Sequence, residues 1–93
     1  MSYRPSDTAQ KIIALLENAK VLAIGHQKRT MAFDVVKACK IYAFGKRFPI
    51  SHNHFDHLAS ACLDKMNGSL LEVFNDIEEE VIQIDISVQS VRS

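Results

Sequence analysis

Hydrophobic and polar residues recur along this 93-residue chain with several different spacings, which together predict a mixed structure. Near the N-terminus apolar residues recur at intervals of three and four, which predicts an amphipathic helix of about three turns that begins near Pro5 and Ser6. Its apolar positions are Ala9, Ile12, Ile13, Leu16 and Ala19. Two short apolar runs, Val21 to Ile24 and Ile41 to Phe44, show no alternation and are each closed by glycine, as buried strands are.

The two apolar runs belong to a hexapeptide that occurs twice. Lys20 to Gly25 and Lys40 to Gly45 share the order lysine, aliphatic, apolar, alanine, apolar, glycine. A basic loop follows each copy, and a stretch with helical spacing follows each loop. The repeat therefore predicts two consecutive strand-glycine-helix units, which form the βαβ core of a small, layered, single-domain α/β fold over residues 1–93.

Helical spacing predicts two further helices, one after each basic loop. Thr30 is the candidate N-cap of the first, and Ser51, after Pro49, is the candidate N-cap of the second. Their apolar positions are Ala32, Val35, Val36 and Cys39 in the first helix, and Phe55, Leu58, Ala59, Cys62 and Met66 in the second. Asn67-Gly68 is expected to end the latter.

The C-terminal third combines an ambiguous segment with a clear alternation. Ser69 with Glu72 fits a capping box and favours a helix, although a strand that turns at Asn75-Asp76 remains an alternative. The segment from Ile82 to Val88 then alternates apolar and polar residues, which predicts an amphipathic strand at a sheet edge or a dimer contact. A single small core makes a homodimer the expected assembly.

The charge balance argues against a general attraction to nucleic acid or membrane. Lys and Arg number 11, as do Asp and Glu, so the net charge is zero. No apolar run is long enough for a membrane span, and no signal-peptide core is present. Cys39 and Cys62 lie on predicted buried faces and suit reduced structural thiols in a cytoplasmic protein.

The local distribution of charge nevertheless predicts an anion site. In a right-handed βαβ unit both glycine-closed strand ends open on one sheet edge, where ligands bind. Helix N-termini and cationic side chains there suit phosphate. The predicted ligand-binding residues are Gly25, Lys28, Arg29, Thr30, Gly45, Lys46, Arg47 and Ser51. The alternative is that the glycines only form turns and the cations are a solvated rim.

Three resemblances accompany these patterns. The stretch from Val21 to Ala38, with Lys46-Arg47 and the segment from Ile82 to Val88, resembles Alba-type chromatin and RNA-binding proteins. That resemblance implies a dimeric nucleic-acid binder whose contacts to phosphates come from Lys28, Arg29, Lys46 and Arg47. The strand-glycine loops also resemble sugar-isomerase type phosphosugar domains, in which Thr30 and Ser51 would hold phosphate.

The segment from His52 to His57 resembles the HxHxDH metal motif of metallo-β-lactamase-fold hydrolases. The resemblance implies a zinc or iron site formed by His52, His54, Asp56 and His57. If Ser51 caps a helix, however, the spacing of these side chains around the helix opposes their convergence on one ion.

The leading expectation is a non-catalytic protein that binds a phosphate-bearing ligand, with nucleic-acid backbone as the first candidate. The alternatives are a metal-dependent hydrolase-like site at the histidines and an interaction module whose acidic stretch, Asp76 to Glu80, docks a basic partner. No nucleophile-base pair stands out, so no catalytic residue is expected. Outside the metal alternative, no cofactor is expected.

Overall fold

A computed structural model of the chain describes residues 2–24, 28–64 and 69–92. It contains four α-helices: α1 (Asp7–Ile24), α2 (Arg29–Gly45), α3 (His52–Leu63) and α4 (Leu70–Arg92). None of the described residues forms a β-strand. The predicted α/β fold with a βαβ core is therefore wrong, and the described chain is an all-helical bundle.

The described residues of the two hexapeptides, 20–24 and 40–45, form the last turns of α1 and α2. Each buried position of α1 has a buried counterpart in α2, 20 residues later in the sequence. The pairs are Ala9 and Arg29, Ile12 and Ala32, Leu16 and Val36, Ala19 and Cys39, and Ala23 and Ala43. Each apolar run thus contributes one alanine to the core, whereas Val21 and Ile41 are each 70% exposed. The predicted strands Val21 to Ile24 and Ile41 to Phe44 are wrong because a short apolar run does not distinguish a strand from the end of a helix.

The segment with alternating residues is the C-terminal half of α4. Burial along α4 follows helical spacing, at Leu70, Phe74, Ile77, Val81 and Asp85. Ile86, which the alternation places on the buried face, is 37% exposed. The helical interpretation of residues 69–81 is confirmed, and the predicted strand from Ile82 to Val88 is wrong. The packing of a 23-residue helix outweighs the weak preference of Ile and Val for strands.

The four helices share one core, and α4 packs against both α1 and α3. Lys20, near the end of α1, donates to Glu78 in the first half of α4. Ser6, before the start of α1, donates to Asp85 in the second half of α4, so these two helices run antiparallel. Of the described residues that carry the Alba-type resemblance, 21–24, 29–38 and 82–88 are helical, and Lys46-Arg47 forms a turn.

Two of the three predicted helix starts agree with the structure, and the predicted N-cap of α2 does not. Ser6 precedes α1 and its Oγ accepts from the Ala9 N–H at 3.1 Å, which confirms the start near Pro5 and Ser6. The Ser51 cap of α3 is confirmed, because its side chain accepts from the Asn53 N–H. Thr30 is not a cap: it lies in the first turn of α2, and the N-cap position belongs to the preceding Lys28. Residues 65–68, with the predicted Met66 and Asn67-Gly68 positions, lie outside the described residues.

Candidate functional site

The described residues of the two basic loops lie at opposite ends of α2. Lys28 precedes the first residue of α2 and Lys46 follows its last. At 1.5 Å of rise per residue, α2 separates them by about 25 Å. The predicted site needed two parallel strands whose ends open on one sheet edge. The described residues form no such sheet, so the described members of the predicted anion site do not meet in one pocket.

The first loop offers little charge to a ligand. Lys28 is exposed, but Arg29 is only 8% exposed, and its Nη1 donates to the Cys62 carbonyl oxygen of α3 at 3.5 Å. Thr30 is exposed on α2, and Gly25 lies outside the described residues. Arg29 therefore joins α2 to α3.

The second loop is a helix-ending turn. The Arg47 N–H donates to the Phe44 carbonyl at 3.0 Å and the Phe48 N–H donates to the Ala43 carbonyl at 2.9 Å, which is the Schellman arrangement. Arg47 takes the left-handed position of this turn with φ of 58°. Gly45 is the last residue of α2 and has no positive φ, so the turn does not depend on its being glycine.

Lys46 and Arg47 border a cavity of about 100 Å³ between this turn and the N-terminus of α1. The rest of its lining comes from α1, the turn and α4: Ser6, Thr8, Phe48, Pro49, Asp85, Val88 and Gln89. Lys46 Nζ also lies 5.9 Å from the centroid of the Tyr42 ring. Because the buried Asp85 carboxylate forms part of the wall, its charge opposes an anion in this cavity.

The Arg47 turn gives a direct prediction for stability. Arg47→Gly is expected to raise the free energy of unfolding by up to about 1 kcal/mol, since glycine adopts the left-handed conformation without the steric cost of a Cβ. Urea denaturation measures the change. Lys46→Gly is the matched control, because Lys46 has φ of −90° and no such strain to relieve. Equal effects of the two substitutions would contradict the assignment of the turn.

Two of the four predicted metal ligands are engaged by α2. The His52 ring contacts the Phe44 ring edge to face, with centroids 5.1 Å apart. Asp56 forms ion pairs with Lys40 at 2.8 Å and with Lys37 at 3.5 Å. The hydrogen bond from Lys40 is the main cause that lowers the pKa of Asp56.

The other two predicted ligands, His54 and His57, line a groove between α3 and α4. The four residues therefore have three different surroundings and do not converge, as their spacing on a helix indicated. Across the described ranges, no three His, Cys, Asp or Glu side chains are grouped so that they could hold a metal ion.

This groove has a volume of about 330 Å³. It is lined by Asn53, His54 and His57 of α3 and by Val73, Asp76 and Ile77 of α4. Ile77 is 4% exposed and Val73 packs against the same core, so the groove has an apolar floor. The polar side chains form its rim. We call this surface the histidine groove.

Beside the groove, α4 carries four exposed carboxylates, Glu72, Asp76, Glu79 and Glu80, which we call the acidic stripe. Among the described residues none of them has a cationic partner within 4.0 Å. Glu78 is different, because it faces α1 and pairs with Lys20 at 3.2 Å. Burial raises the pKa of Glu78, and the contact with Lys20 offsets only part of that rise.

A polar cluster around Asp85 was not predicted. Asp85 is 1% exposed, and its carboxylate accepts four hydrogen bonds, from Tyr3 Oη, Ser6 N, Ser6 Oγ and Gln89 Nε2. Burial acts to raise the pKa of Asp85, but the hydrogen bonds lower it further, so the net shift is downward. Burial and the contact with Asp85 raise the pKa of Tyr3 to about 12. Helical spacing from Val81 would have placed Asp85 on the core side, but the alternation placed it on the wet face.

The two cysteines are free and buried, which confirms their interpretation as unpaired core residues. Burial raises the pKa of Cys39 to about 12 and raises that of Cys62 as well. A thiol with a raised pKa is a poor nucleophile and metal ligand. Neither cysteine contributes to the candidate site.

Comparison of the chain with protein-family models, with curated proteins and with solved structures finds no match. The functional inference therefore depends on the histidine groove and the acidic stripe. A separate observation is that no helix in the described part of the chain is both long and apolar enough to span a membrane.

Proposed function

We propose that this protein is a non-catalytic interaction module that binds a basic, amphipathic helical segment of another protein on its α3–α4 surface. The observation that carries the proposal is the position of the acidic stripe along a groove with an apolar floor. Among the functions expected from the sequence, this is the module that docks a basic partner through residues Asp76 to Glu80.

The acidic stripe favours a cationic partner. Glu72, Asp76 and Glu80 follow one another at intervals of four residues, so their carboxylates are neighbours on the helix surface and repel one another. No described cation relieves this repulsion from within the chain. A lysine-rich or arginine-rich segment would relieve it on binding, and long-range attraction would speed the encounter.

The histidine groove favours a partner with an apolar face. Val73 and Ile77 offer an apolar floor, and about 330 Å³ is room for one or two aliphatic side chains or a small part of a helix. An amphipathic helix meets both requirements at once, because its apolar residues enter a groove while its charged residues lie along the rim.

Nucleic-acid backbone fits the structure less well as a ligand. Lys37 and Lys40 pair with Asp56, and Lys20 pairs with Glu17 and Glu78. The exposed Lys28 and the basic turn at Lys46 lie at opposite ends of α2. These described lysines therefore do not form one continuous basic surface for phosphates.

Charge neutralisation on the stripe tests the proposal. A synthetic amphipathic helix of leucine and lysine is expected to bind the wild-type protein, and Asp76→Asn with Glu80→Gln should weaken binding about two- to fivefold per charge, with a smaller salt dependence. Fluorescence anisotropy measures the affinity. Asp34→Asn, which removes an exposed carboxylate of α2, is the matched control and should change little. Equal affinity for a leucine and glutamate helix would exclude the proposal.

A bulky side chain in the histidine groove tests, with the same binding assay, whether its apolar floor receives the partner helix. Asn53 lines the groove but is itself exposed, so Asn53→Phe should fill the groove without disturbing the core. Binding of the leucine and lysine helix should fall about tenfold or more. Asn18→Phe, at an exposed position of α1, controls for the added aromatic ring.

A further inference from the structure

One side of α2 is exposed from the first turn of the helix to the last, and most of that side is apolar or small. Met31, Asp34, Ala38, Ile41 and Gly45 are all exposed. Their intervals of three and four residues are those of the a and d positions of a heptad, along which two helices pack. The buried side of α2 packs against α1 and α3. We call the five residues the outer stripe of α2.

The repeat in the sequence supplies a comparison with α1. Twenty residues earlier, the corresponding exposed positions of α1 include Lys11 and Asn18, where the outer stripe has Met31 and Ala38. Met31 is 54% exposed and Ile41 is 70% exposed. A single exposed apolar side chain is ordinary, but several at helix-packing intervals indicate a contact surface.

We propose that the outer stripe of α2 is a dimer interface, whose occupant is the same stripe of a second copy of this chain. The two helices pack antiparallel about a twofold axis level with Val36, so that Met31 faces Ile41 of the partner subunit. Ala38 and Gly45 are small, which allows the two helices a close approach. An isologous contact of this kind closes on itself and gives a dimer. It leaves the histidine groove and the acidic stripe free.

Charge on the outer stripe selects a second copy and the direction of packing. Asp34 is the charged residue of the stripe, and none of the described cations lies within 4.0 Å of it. In the antiparallel register, Asp34 lies against Ala38 of the partner subunit and beside Lys37 of the partner subunit. In a parallel pair the two Asp34 carboxylates would face each other and repel. The stripe is therefore complementary to itself in one direction.

Lys37 is available for this pairing. Its side chain is 42% exposed, and its contact with Asp56 is 3.5 Å long. Lys40 pairs with the same carboxylate oxygen of Asp56 at 2.8 Å. Because Lys40 holds Asp56, Lys37 can turn to Asp34 of the partner subunit without leaving a carboxylate unpaired. The twofold axis generates two such pairs.

The size of the contact sets the strength of the dimer. A helix of 17 residues is about 25 Å long, and a contact along one helix of each copy is smaller than the standard interface of about 800 Å² per partner. Ion pairs at its exposed edge contribute little to affinity. We therefore expect a weak dimer, with a dissociation constant on the order of 10–100 μM.

Sedimentation equilibrium of the full chain tests the interface. From about 1 μM to about 500 μM, the wild type should pass from monomer to dimer. Ile41→Glu should weaken the dimer about tenfold or more, because it places two carboxylates in an apolar contact. Val21→Glu is the matched control: Val21 is also 70% exposed, at the corresponding position of α1, and its replacement should leave the dimer unchanged.

An exchange of charges tests the antiparallel direction. Asp34→Lys should dissociate the dimer, because lysines of both copies then meet at the axis, and Asp34→Lys with Lys37→Asp should restore it. A double variant that stays folded and monomeric would show that the register is wrong.

Three results would overturn the interface itself. They are a wild-type chain that stays monomeric at about 500 μM, a dimer that withstands Ile41→Glu, and a dimer that Val21→Glu weakens equally. Circular dichroism verifies that each variant keeps its helices, so that loss of the dimer is not loss of the fold. Binding of the leucine and lysine helix by Ile41→Glu should match that of the wild type, since the peptide is expected on α3 and α4.

Discussion

Asp85→Ala should lower the free energy of unfolding by about 3 kcal/mol. The carboxylate is buried and accepts four hydrogen bonds. The three from Tyr3 and Ser6 join the segment before α1 to α4, and the fourth comes from Gln89 of α4 itself. Hydrogen bonds to a charged group contribute more than neutral ones, and truncation leaves the donors of Ser6 with no acceptor. Urea denaturation at neutral pH measures the loss. Asp76→Ala, an exposed carboxylate on the same helix, should change stability by less than about 0.5 kcal/mol.

The pH dependence of stability gives this prediction a second readout. The folded pKa of Asp85 is lowered, so its contribution is present above the ordinary aspartate range near 3.9 and is lost as pH falls through the lower folded value. The difference between wild type and Asp85→Ala should therefore shrink in acid. A difference that stays constant down to the acid transition would show that the cluster stabilises the fold by packing alone.

Phe74→Ala should cost about 3–5 kcal/mol, the largest effect of any substitution considered for α4. Its ring is 0% exposed in the shared core, so truncation removes buried apolar surface and leaves a cavity. Thermal and urea denaturation measure the loss. The variant also distinguishes the helix from the alternative strand that turns at Asn75-Asp76. At the end of such a strand Phe74 would not have to lie in the centre of the core, and its truncation would cost less.

Two matched truncations on α4 separate the helix from the predicted strand. Leu71 is 45% exposed and Ile86 is 37% exposed, so replacing either by alanine should cost far less than Phe74→Ala. In the predicted strand, Ile86 would share a buried face with Ile82 and Ile84. A loss at Ile86→Ala as large as that at Phe74→Ala would contradict the helical register.

Only part of the candidate site could be predicted from the sequence. The sequence offered the acidic residues from Asp76 to Glu80 as an alternative site for a basic partner, but their division into an exposed stripe and the internally paired Glu78 depends on where α1 lies. For His54 and His57, the sequence predicted only a possible role as metal ligands. Their place in a groove depends on Val73 and Ile77 of α4, which are distant in sequence and become neighbours only through packing.

The described parts of the two basic loops do not meet, for a geometric reason. The residue types of the predicted anion site were suitable, yet Lys28 and Lys46 flank the same helix, and a helix keeps its two ends apart. In a βαβ unit the corresponding loops would have been neighbours. The predicted site thus depended entirely on the assignment of the two short apolar runs as strands rather than helices.

By itself, the sequence determined the features that depend on local chemistry: the helical spacing of α1, the start of α3 at the Ser51 cap, and the burial of both cysteines. Tertiary structure decided whether the repeated hexapeptides and the segment from Ile82 to Val88 are strands or helices. The physical reason is one of magnitude. Local preferences differ by only a few tenths of a kcal/mol per residue, whereas the burial of one large side chain contributes about 1.5–3 kcal/mol, so packing against neighbouring helices prevails.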